Sequence, residues 1–253
     1  MKRIQSLDNE NIKKIRSLSV KKYREQFGLC VIEGEKVIRE ALALKRVKTL
    51  IVDESREADF QDILAANDKI SIVVSSDVMK SVSAEVTSQG IMAVIELNPV
   101  RELDIRKNLL VLDHLQDPGN LGTIIRSAVA SGHSDIILID TVDPYNDKTL
   151  RSTTGTIFYP NFVKLKREEF IDFAIQNNLN ILLADMNGQN LYDNSIDFGS
   201  PYALVIGSEG QGVSAEIRAL KHKTISIPMD ERVESLNAGV SASIIMFNLK
   251  NKN

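Results

Sequence analysis

Apolar and polar positions recur along the chain in two patterns, and the change between them falls near residue 100. Before that point, short apolar runs alternate with segments whose apolar residues recur every three or four positions, as in amphipathic helices. Ile12, Ile15 and Leu18 mark one such helical face. The pattern predicts strands at 29–33, 47–52, 70–75 and 91–97, and helices at 9–19, 37–44 and 60–67.

After residue 108 the apolar runs become nearly continuous and alternate regularly with helical segments. The pattern predicts strands at 109–115, 135–140, 161–165, 180–185, 202–207 and 224–229, and helices at 122–131, 148–153, 167–177, 215–221 and 236–250. Such alternation is typical of a parallel sheet covered on both faces. Asn98-Pro99 interrupts the pattern, and 100–108 is charged and poorly periodic. We predict an α/β protein with domains at 1–98 and 109–253 and a linker at 99–108.

The composition is that of an ordinary globular protein, with 43% apolar and 26% charged residues. The single cysteine, Cys30, lies in an apolar run and is predicted to be a buried, inert thiol. His114, His133 and His222 show no metal-ligand spacing, so we expect no metal. No apolar run reaches transmembrane length and the first residues contain no signal core. We therefore expect no membrane association and a cytoplasmic location.

The charge is unevenly distributed, although the net charge is only −3. Residues 2–24 contain eight basic residues, which only Asp8 and Glu10 oppose. Composition alone favours a solvated helix face, but a local basic surface can bind phosphates on an acidic protein. The candidate phosphate contacts in this stretch are Lys13, Lys14, Lys21 and Lys22.

Three segments of the second half carry the candidate chemistry, and they lie at 109–128, 204–214 and 225–237. Each runs from an apolar stretch through a polar or glycine-bearing turn toward a helix. Turns of this kind can converge at one edge of a parallel sheet, where α/β proteins bind ligands. The middle segment has its glycines in the order G-x-x-G-x-G, which differs from the dinucleotide fingerprint and disfavours a Rossmann dehydrogenase.

Taken singly, the polar residues of these segments have ordinary structural explanations. Asn120 and Ser235 stand near predicted helix starts, where both residue types cap helices. Glu209 can accept hydrogen bonds from backbone amides within its own loop. Arg126 follows Ile124-Ile125 and is either a surface arginine or a residue with a partner, because arginine is rarely buried unpaired.

Taken together, in this order and at this spacing, the segments resemble the three motifs of the SpoU/TrmH family of RNA ribose 2′-O-methyltransferases. Asn120 and Arg126 match its first motif, N-x-G-x-x-x-R, and Gly207 and Glu209 match its second. The third motif is matched by Ile227-Pro228-Met229 and Ser235-Leu236-Asn237. Two further stretches, 151–155 and 27–35, resemble an intervening R-x-S-x-G element and the entry to the family's substrate-binding domain.

The resemblance implies a C-terminal α/β-knot domain, with a trefoil knot and a mostly parallel sheet, and a smaller N-terminal α/β substrate-binding domain. It implies a homodimer with its site near the interface, an rRNA or tRNA substrate, and S-adenosyl-L-methionine as cofactor. The implied cofactor contacts are Gly207, Ile227, Met229, Leu236 and Asn237. The implied catalytic residues are Asn120, Arg126, Glu209, Ser235 and Asn237, and Arg151 is an implied RNA contact.

The reaction would be methyl transfer from a sulfonium to a ribose 2′-hydroxyl. Arg126 is a poor general base because guanidinium stays protonated at neutral pH, so we expect it to stabilise the developing alkoxide. The proton acceptor is left open between Arg126, a phosphate and water. Glu209, Ser235 and Asn237 would orient Arg126 and the ribose.

The sequence departs from the family pattern after Met229, where Glu231 and Arg232 stand in place of the usual glycine. If that turn needs a positive φ, these residues would strain it and weaken cofactor binding. The departure keeps two alternatives open. One is an RNA-binding protein with weak or lost activity, and the other is a knotted methyltransferase that acts on an RNA base.

Overall fold

The computed structural model describes residues 1–85 and 87–252. The chain forms two compact units. The first comprises Met1–Leu97 together with Tyr145–Gly155. The second comprises Asn98–Pro144 and the chain from Thr156 onward. A segment of eleven residues that we had assigned by sequence to the C-terminal domain thus belongs structurally to the first unit, whereas the predicted linker is part of the second.

The strands and helices follow one another along the whole chain. The strands are β1 Lys2–Ile4, β2 Leu29–Glu33, β3 Val47–Asp53, β4 Ser71–Val74, β5 Ile91–Glu96, β6 Leu109–Asp113, β7 Asp135–Ile139, β8 Asn161–Lys164, β9 Ile181–Asn190, β10 Ala203–Ile206 and β11 His222–Ser226. The α-helices are α1 Glu10–Ser17, α2 Lys21–Phe27, α3 Glu35–Ala43, α4 Gln61–Ala66, α5 Ser76–Val82, α6 Pro118–Ser131, α7 Asp147–Thr153, α8 Arg167–Gln176, α9 Ala215–Arg218 and α10 Ala238–Lys252. Short 3-10 helices occupy Glu54–Phe60, Asp68–Ile70 and Thr156–Phe158.

The first unit is built on a mixed five-stranded sheet with the order β1-β4-β3-β5-β2. β4 pairs in parallel with β1 and β3, while β5 pairs antiparallel with β2 and β3. Ile12, Ile15 and Leu18 are buried against this sheet's core, as the helical pattern of the sequence predicted. The core also contains Val74 and Met92.

The second unit is built on a six-stranded sheet with the order β11-β9-β10-β6-β7-β8. Every pairing in it is parallel. Val111 of β6 packs with Phe170 of α8 and Ile217 of α9 in one apolar cluster. Leu110 and Leu112 point to the opposite face and are equally inaccessible. The sheet is therefore covered on both sides, which confirms the α/β fold class. The trefoil knot stays a prediction.

Several element boundaries differ from the predicted ones. The predictions missed β1, α2 and α5, which are short. α6 begins four residues earlier than predicted, and α9 is shorter. Within the part of the chain that the structure describes, no helix combines the length and the apolar character needed to cross a membrane.

Candidate active site

Asn120 lies in the first turn of α6, and its side chain does not cap the helix. The cap of this helix is Asp117, whose carboxylate accepts a hydrogen bond from the Asn120 backbone N–H at 2.8 Å, and Pro118 follows at the first helical position. Asn120 is therefore not the cap of α6, which excludes the structural alternative considered for it, while its catalytic role stays a prediction. The predicted helix start at residue 122 was wrong, because Asn120 already lies within the helix, where its side-chain amide can reach other elements.

The side chain of Asn120 joins the three motifs. Its Nδ2 donates to Glu209 Oε1 at 2.5 Å, and its Oδ1 accepts from Asn237 Nδ2 at 2.8 Å. These bonds connect residues that are 89 and 117 positions apart in the sequence. The three predicted residues thus form one hydrogen-bonded network at the edge of the sheet.

Asn237 also caps α10. Its Oδ1 accepts from the backbone N–H of Gly239 at 3.0 Å and of Val240 at 3.2 Å. The predicted cap, Ser235, was wrong, and so was the predicted helix start at Leu236, since α10 begins at Ala238. Because an amide oxygen caps the helix while its nitrogen faces Asn120, both polar atoms of Asn237 are fixed. The orientation of the network is therefore set by a helix end.

The glycine-bearing loop after β10 is closed by backbone hydrogen bonds. Ser208 and Gly212 exchange two of them, at 3.1 and 3.0 Å. Gly212 has a φ of +67°, and a Cβ on Gly207 would lie 2.1 Å from the Gly212 carbonyl carbon. Both positions therefore require glycine, one for backbone conformation and one for close approach. Glu209, at the exposed tip, is held toward Asn120 by this tight loop.

Asp113 supports the same loop and was missed by the sequence analysis. It is the last residue of β6, is completely buried, and accepts a hydrogen bond from the Ser214 backbone N–H at 2.7 Å. Its other carboxylate oxygen lies 3.6 Å from the Arg167 guanidinium. A buried charge at the carboxyl end of an otherwise apolar strand was the available signal, because such charges need partners.

A cavity of about 310 Å³ opens beside the loop. Its lining contains four of the five predicted cofactor contacts, Gly207, Ile227, Met229 and Leu236, but not the fifth, Asn237. Glu209 and Ser235 of the predicted catalytic set also line it. Apolar side chains of β10, β11 and α10 complete the wall, namely Ile206, Ile225 and Ile245. The volume and the combination of an apolar wall with polar and charged groups fit a small organic ligand.

Two charged residues at this cavity, Asp185 and Arg218, were not predicted. They form a close ion pair, and Arg218 Nε also donates to the Val213 carbonyl at 3.0 Å. Burial alone would raise the pKa of Asp185. Hydrogen bonds from the Asn187 backbone and from Arg218 outweigh burial and hold that pKa below its usual value. The carboxylate is therefore ionised at neutral pH and gives the cavity a fixed charged wall.

Arg126 stands apart from the Asn120 network. Its side chain is exposed on α6 and has no hydrogen bond or ion pair with any residue in 1–85 or 87–252. Six residues along a helix correspond to roughly 9 Å of rise and about 120° of rotation, so Arg126 and Asn120 face different directions. Within a single chain, the first motif therefore presents its two polar residues on different sides of α6.

The predicted RNA contacts lie in the first unit. Lys13 and Lys14 are on α1, Lys21 and Lys22 are on α2, and Arg151 is on α7. All five side chains are exposed. The structure therefore brings the lysines onto two consecutive helices.

The turn with Glu231 and Arg232 is not strained. Neither residue has a positive φ. Arg232 instead forms hydrogen bonds with both carboxylate oxygens of Asp230, at 2.8 and 2.9 Å, and its backbone N–H donates to Asp230 Oδ1 as well. The condition under which we expected strain is therefore not met. Among the described residues, no group of three or more His, Cys, Asp or Glu side chains is arranged to hold a metal ion.

Two family profiles match the chain. The profile of the SpoU rRNA Methylase family matches residues 107–247. The profile of the MRM3-like substrate binding domain matches residues 9–93. The first match covers the parallel sheet with all three motifs, and the second covers most of the first unit.

Individual relatives match over nearly the whole chain. The 23S rRNA (guanosine(2553)-2′-O)-methyltransferase RlmP of Bacillus subtilis is 32% identical, over 99% of this chain and 100% of the relative. The AdoMet-bound rRNA methyltransferase of Sinorhizobium meliloti is 29% identical, with a TM-score of 0.82 over 99% of this chain and 97% of that one. The SpoU methyltransferase AviRb of Streptomyces viridochromogenes, in complex with AdoMet, is 28% identical. Its TM-score is 0.82, over 96% of this chain and 97% of that one.

Proposed function

Because the chain belongs to the SpoU rRNA methylase family, we propose that it transfers a methyl group from S-adenosyl-L-methionine to a ribose 2′-hydroxyl of ribosomal RNA. One observation carries the proposal. The Glu209–Asn120–Asn237 network, built from all three motifs, adjoins a cavity of about 310 Å³ lined by four of the five predicted cofactor contacts. Catalytic network and cofactor cavity share the glycine-bearing loop and the turn before α10.

The cavity has the groups that S-adenosyl-L-methionine requires. Ile206, Ile227 and Leu236 offer apolar surface to an adenine ring, and the loop at Gly207 offers close access to backbone. Asp185 and Arg218 offer opposite charges, which suit the ammonium and carboxylate of a zwitterionic amino-acid moiety. When bound, the cofactor supplies an electrophilic methyl group on a sulfonium.

The protein's own residues would orient the RNA and favour loss of the hydroxyl proton. Glu209 and Asn237 are held in place by Asn120, so they present fixed polar groups to a ribose at the cavity mouth. Such preorganised placement accounts for much of the rate gain in reactions that join two bound partners. Arg126 would bind the adjacent phosphate and stabilise the developing alkoxide, with the proton passing to phosphate or water.

We further propose a homodimer with its interface on α6 and α10. These helices are tied by a hydrogen bond of 2.7 Å between the hydroxyls of Ser127 and Ser243. Val240 and Phe247 of α10 are 45% and 41% exposed. A second copy that covers this face would bring additional groups to Arg126. Sedimentation velocity tests this, and a monomer at micromolar concentration would contradict it. We also propose that the enzyme acts in the cytoplasm.

Two measurements test the function. Calorimetric titration with S-adenosyl-L-methionine should show saturable binding, and no heat at millimolar cofactor would favour the alternative of an RNA-binding protein without activity. Nucleoside mass spectrometry of RNA incubated with the labelled cofactor should place the label on ribose. Label on a base would exclude 2′-O chemistry and favour the second alternative. The target nucleotide follows from sequencing the methylated site.

A further inference from the structure

Helices α1 and α2 display a paired aromatic surface in the first unit. Tyr23 and Phe27, one turn apart on α2, stack with ring centroids 6.2 Å apart and ring planes inclined by 15°. Each ring is 38% exposed. Single exposed apolar residues are common on protein surfaces, but two nearly parallel, partly exposed rings one helical turn apart form a larger aromatic patch, which we call the platform.

A lysine ammonium group lies over each ring of the platform. The Lys14 ammonium lies 4.6 Å from the centroid of the Phe27 ring, and the Lys22 ammonium lies 6.0 Å from that of Tyr23. Both are cation–π distances. Lys13 and Lys21 are exposed on the same two helices. Aromatic rings in contact with positive charge complement a ligand in which a flat ring is attached to an anionic backbone.

The helix that carries the platform is fixed by hydrogen bonds of a buried arginine. Arg24, on α2 between the two aromatic residues, is 5% exposed and donates to the carbonyls of Leu18 at 2.8 Å and Ser19 at 2.7 Å. These carbonyls belong to the connection between α1 and α2. Gly28 ends α2 in the left-handed conformation, with a φ of +64°. The rings are thus presented by a fixed helix pair, so little conformational entropy is lost when a ligand stacks on them.

From these contacts we infer that Tyr23 and Phe27 bind an unpaired nucleobase of the RNA substrate by stacking, while Lys14 and Lys22 bind its neighbouring phosphates. The inference rests on the proposed function, since it assigns the RNA-recognition surface of the same enzyme. Stacking accepts any base, because every base has a π face. The surface would therefore select single-stranded or looped RNA over a continuous duplex, and it would not read sequence.

The experiment compares Phe27→Leu and Tyr23→Leu with wild type in binding to an RNA hairpin with an unpaired loop and to a fully paired RNA duplex. Leucine keeps an apolar side chain on an exposed helix position, so both variants should fold, which circular dichroism verifies. Hairpin binding should weaken by roughly 5- to 100-fold, the range for one lost stacking contact. Duplex binding should change little. Tyr192→Leu, which removes a 51% exposed tyrosine from the second unit, is the matched control.

Salt dependence separates stacking from charge. The slope of log affinity against log salt should be unchanged in Phe27→Leu and should fall by roughly 0.7–0.9 in Lys14→Gln, which loses one phosphate contact. 2-Aminopurine in the hairpin loop should be quenched by wild type and less by Phe27→Leu. Hairpin affinity equal to wild type in both leucine variants would overturn the inference and assign the platform to a protein partner. If wild type itself bound no RNA, the proposed function would fail instead.

Discussion

The side chain of Asn120 illustrates how one amide can hold three motifs in register. Its nitrogen donates to a carboxylate and its oxygen accepts from a second amide, so neither end can be exchanged without loss of a bond. Aspartate at this position would set a carboxylate against that of Glu209, and leucine would leave both partners unpaired. The position therefore demands an amide of this length.

Asn237 permits its two roles to be tested separately. Asn237→Asp keeps an oxygen for the N–H groups of Gly239 and Val240 but cannot donate to Asn120. We expect near-normal thermal stability with impaired methyl transfer and weaker cofactor binding. Asn237→Ala should show the same functional losses and lose about 1 kcal/mol of stability as well, since it removes the helix cap. Urea denaturation measures stability, calorimetry measures cofactor binding, and a turnover assay measures methyl transfer. Equal turnover in Asn237→Asp and wild type would contradict the assigned role.

Arg126 carries the sharpest catalytic prediction. Because its side chain is exposed and forms no hydrogen bond or ion pair with the described residues, Arg126→Ala should leave folding and cofactor binding nearly unchanged. Methyl transfer should fall by about 10²–10³-fold, the usual effect of losing one preorganised charge stabiliser. Arg126→Lys should rescue little, because an ammonium cannot replace the planar guanidinium. Single-turnover rates with saturating RNA and cofactor measure the effect, and near-normal rates would return Arg126 to the ordinary helix surface.

His133, which lies outside the candidate active site, should make the stability of the protein depend on pH. It is 2% exposed and lies 2.9 Å from the Ser131 hydroxyl and 3.1 Å from that of Tyr202. Burial lowers its pKa from 6.5 to about 4. The unfolded chain therefore binds more protons between these values, and the stability contributed by neutral His133 is lost as the pH falls below 6.5.

Between pH 7 and pH 5 the free energy of unfolding should drop by about 2 kcal/mol through this residue. Urea denaturation at both pH values measures the drop. His133→Gln should be less stable at pH 7 but should lack this part of the pH dependence. The same decrease in both proteins would show that other groups cause it.

At the scale of elements, we propose that α1 and α2 together form a basic surface. Both helices belong to the first unit and carry two of the four lysines each, and Arg24 binds the connection between them. Many phosphate contacts of modest individual strength give nucleic-acid affinity its strong salt dependence.

Replacing Lys13, Lys14, Lys21 and Lys22 together by glutamine should therefore weaken RNA binding and reduce its salt slope by up to about 3. Cofactor affinity should remain that of wild type, because the cavity belongs to the second unit. The matched control makes the same charge change at exposed lysines elsewhere in the first unit, namely Lys36, Lys45, Lys69 and Lys80. Equal losses in the two variants would show that only overall charge matters. Unchanged RNA binding in the variant of α1 and α2 would show that these lysines form only a solvated helix face.

At the scale of the whole molecule, apolar periodicity predicted most helices and strands, because the faces that these elements bury determine where apolar residues stand in the sequence. β2 was predicted residue for residue, and β6 and β7 at their first residue, since the side chains of β2 are alternately buried and those of β6 and β7 are apolar apart from one terminal aspartate each. β1 was missed because it has three residues and buries only Ile4. α2 has Arg24 as its buried residue, so no apolar stripe marked it.

The site was only partly predictable. Resemblance supplied the residues of the network, but the bonds among them depend on how three turns meet at the sheet edge, which local sequence does not encode. Capping illustrates this. Asp117 and Asn120 are both good capping residues, and the position of Pro118 decides in favour of Asp117. Asp185 and Arg218 pair across 33 residues, and neither stands in a motif.

The division of the first unit between two stretches of chain bears on how such proteins can recombine during evolution. An exchange of the first 97 codons with those of a relative would not carry the whole unit, since residues 145–155 are encoded further on. Gly155 shows how closely the two stretches approach each other. A Cβ there would lie 2.1 Å from the Glu40 carboxylate oxygen, and its φ is +97°. A chimaera would inherit one partner without the other, so functional crossovers should keep both stretches from a single parent.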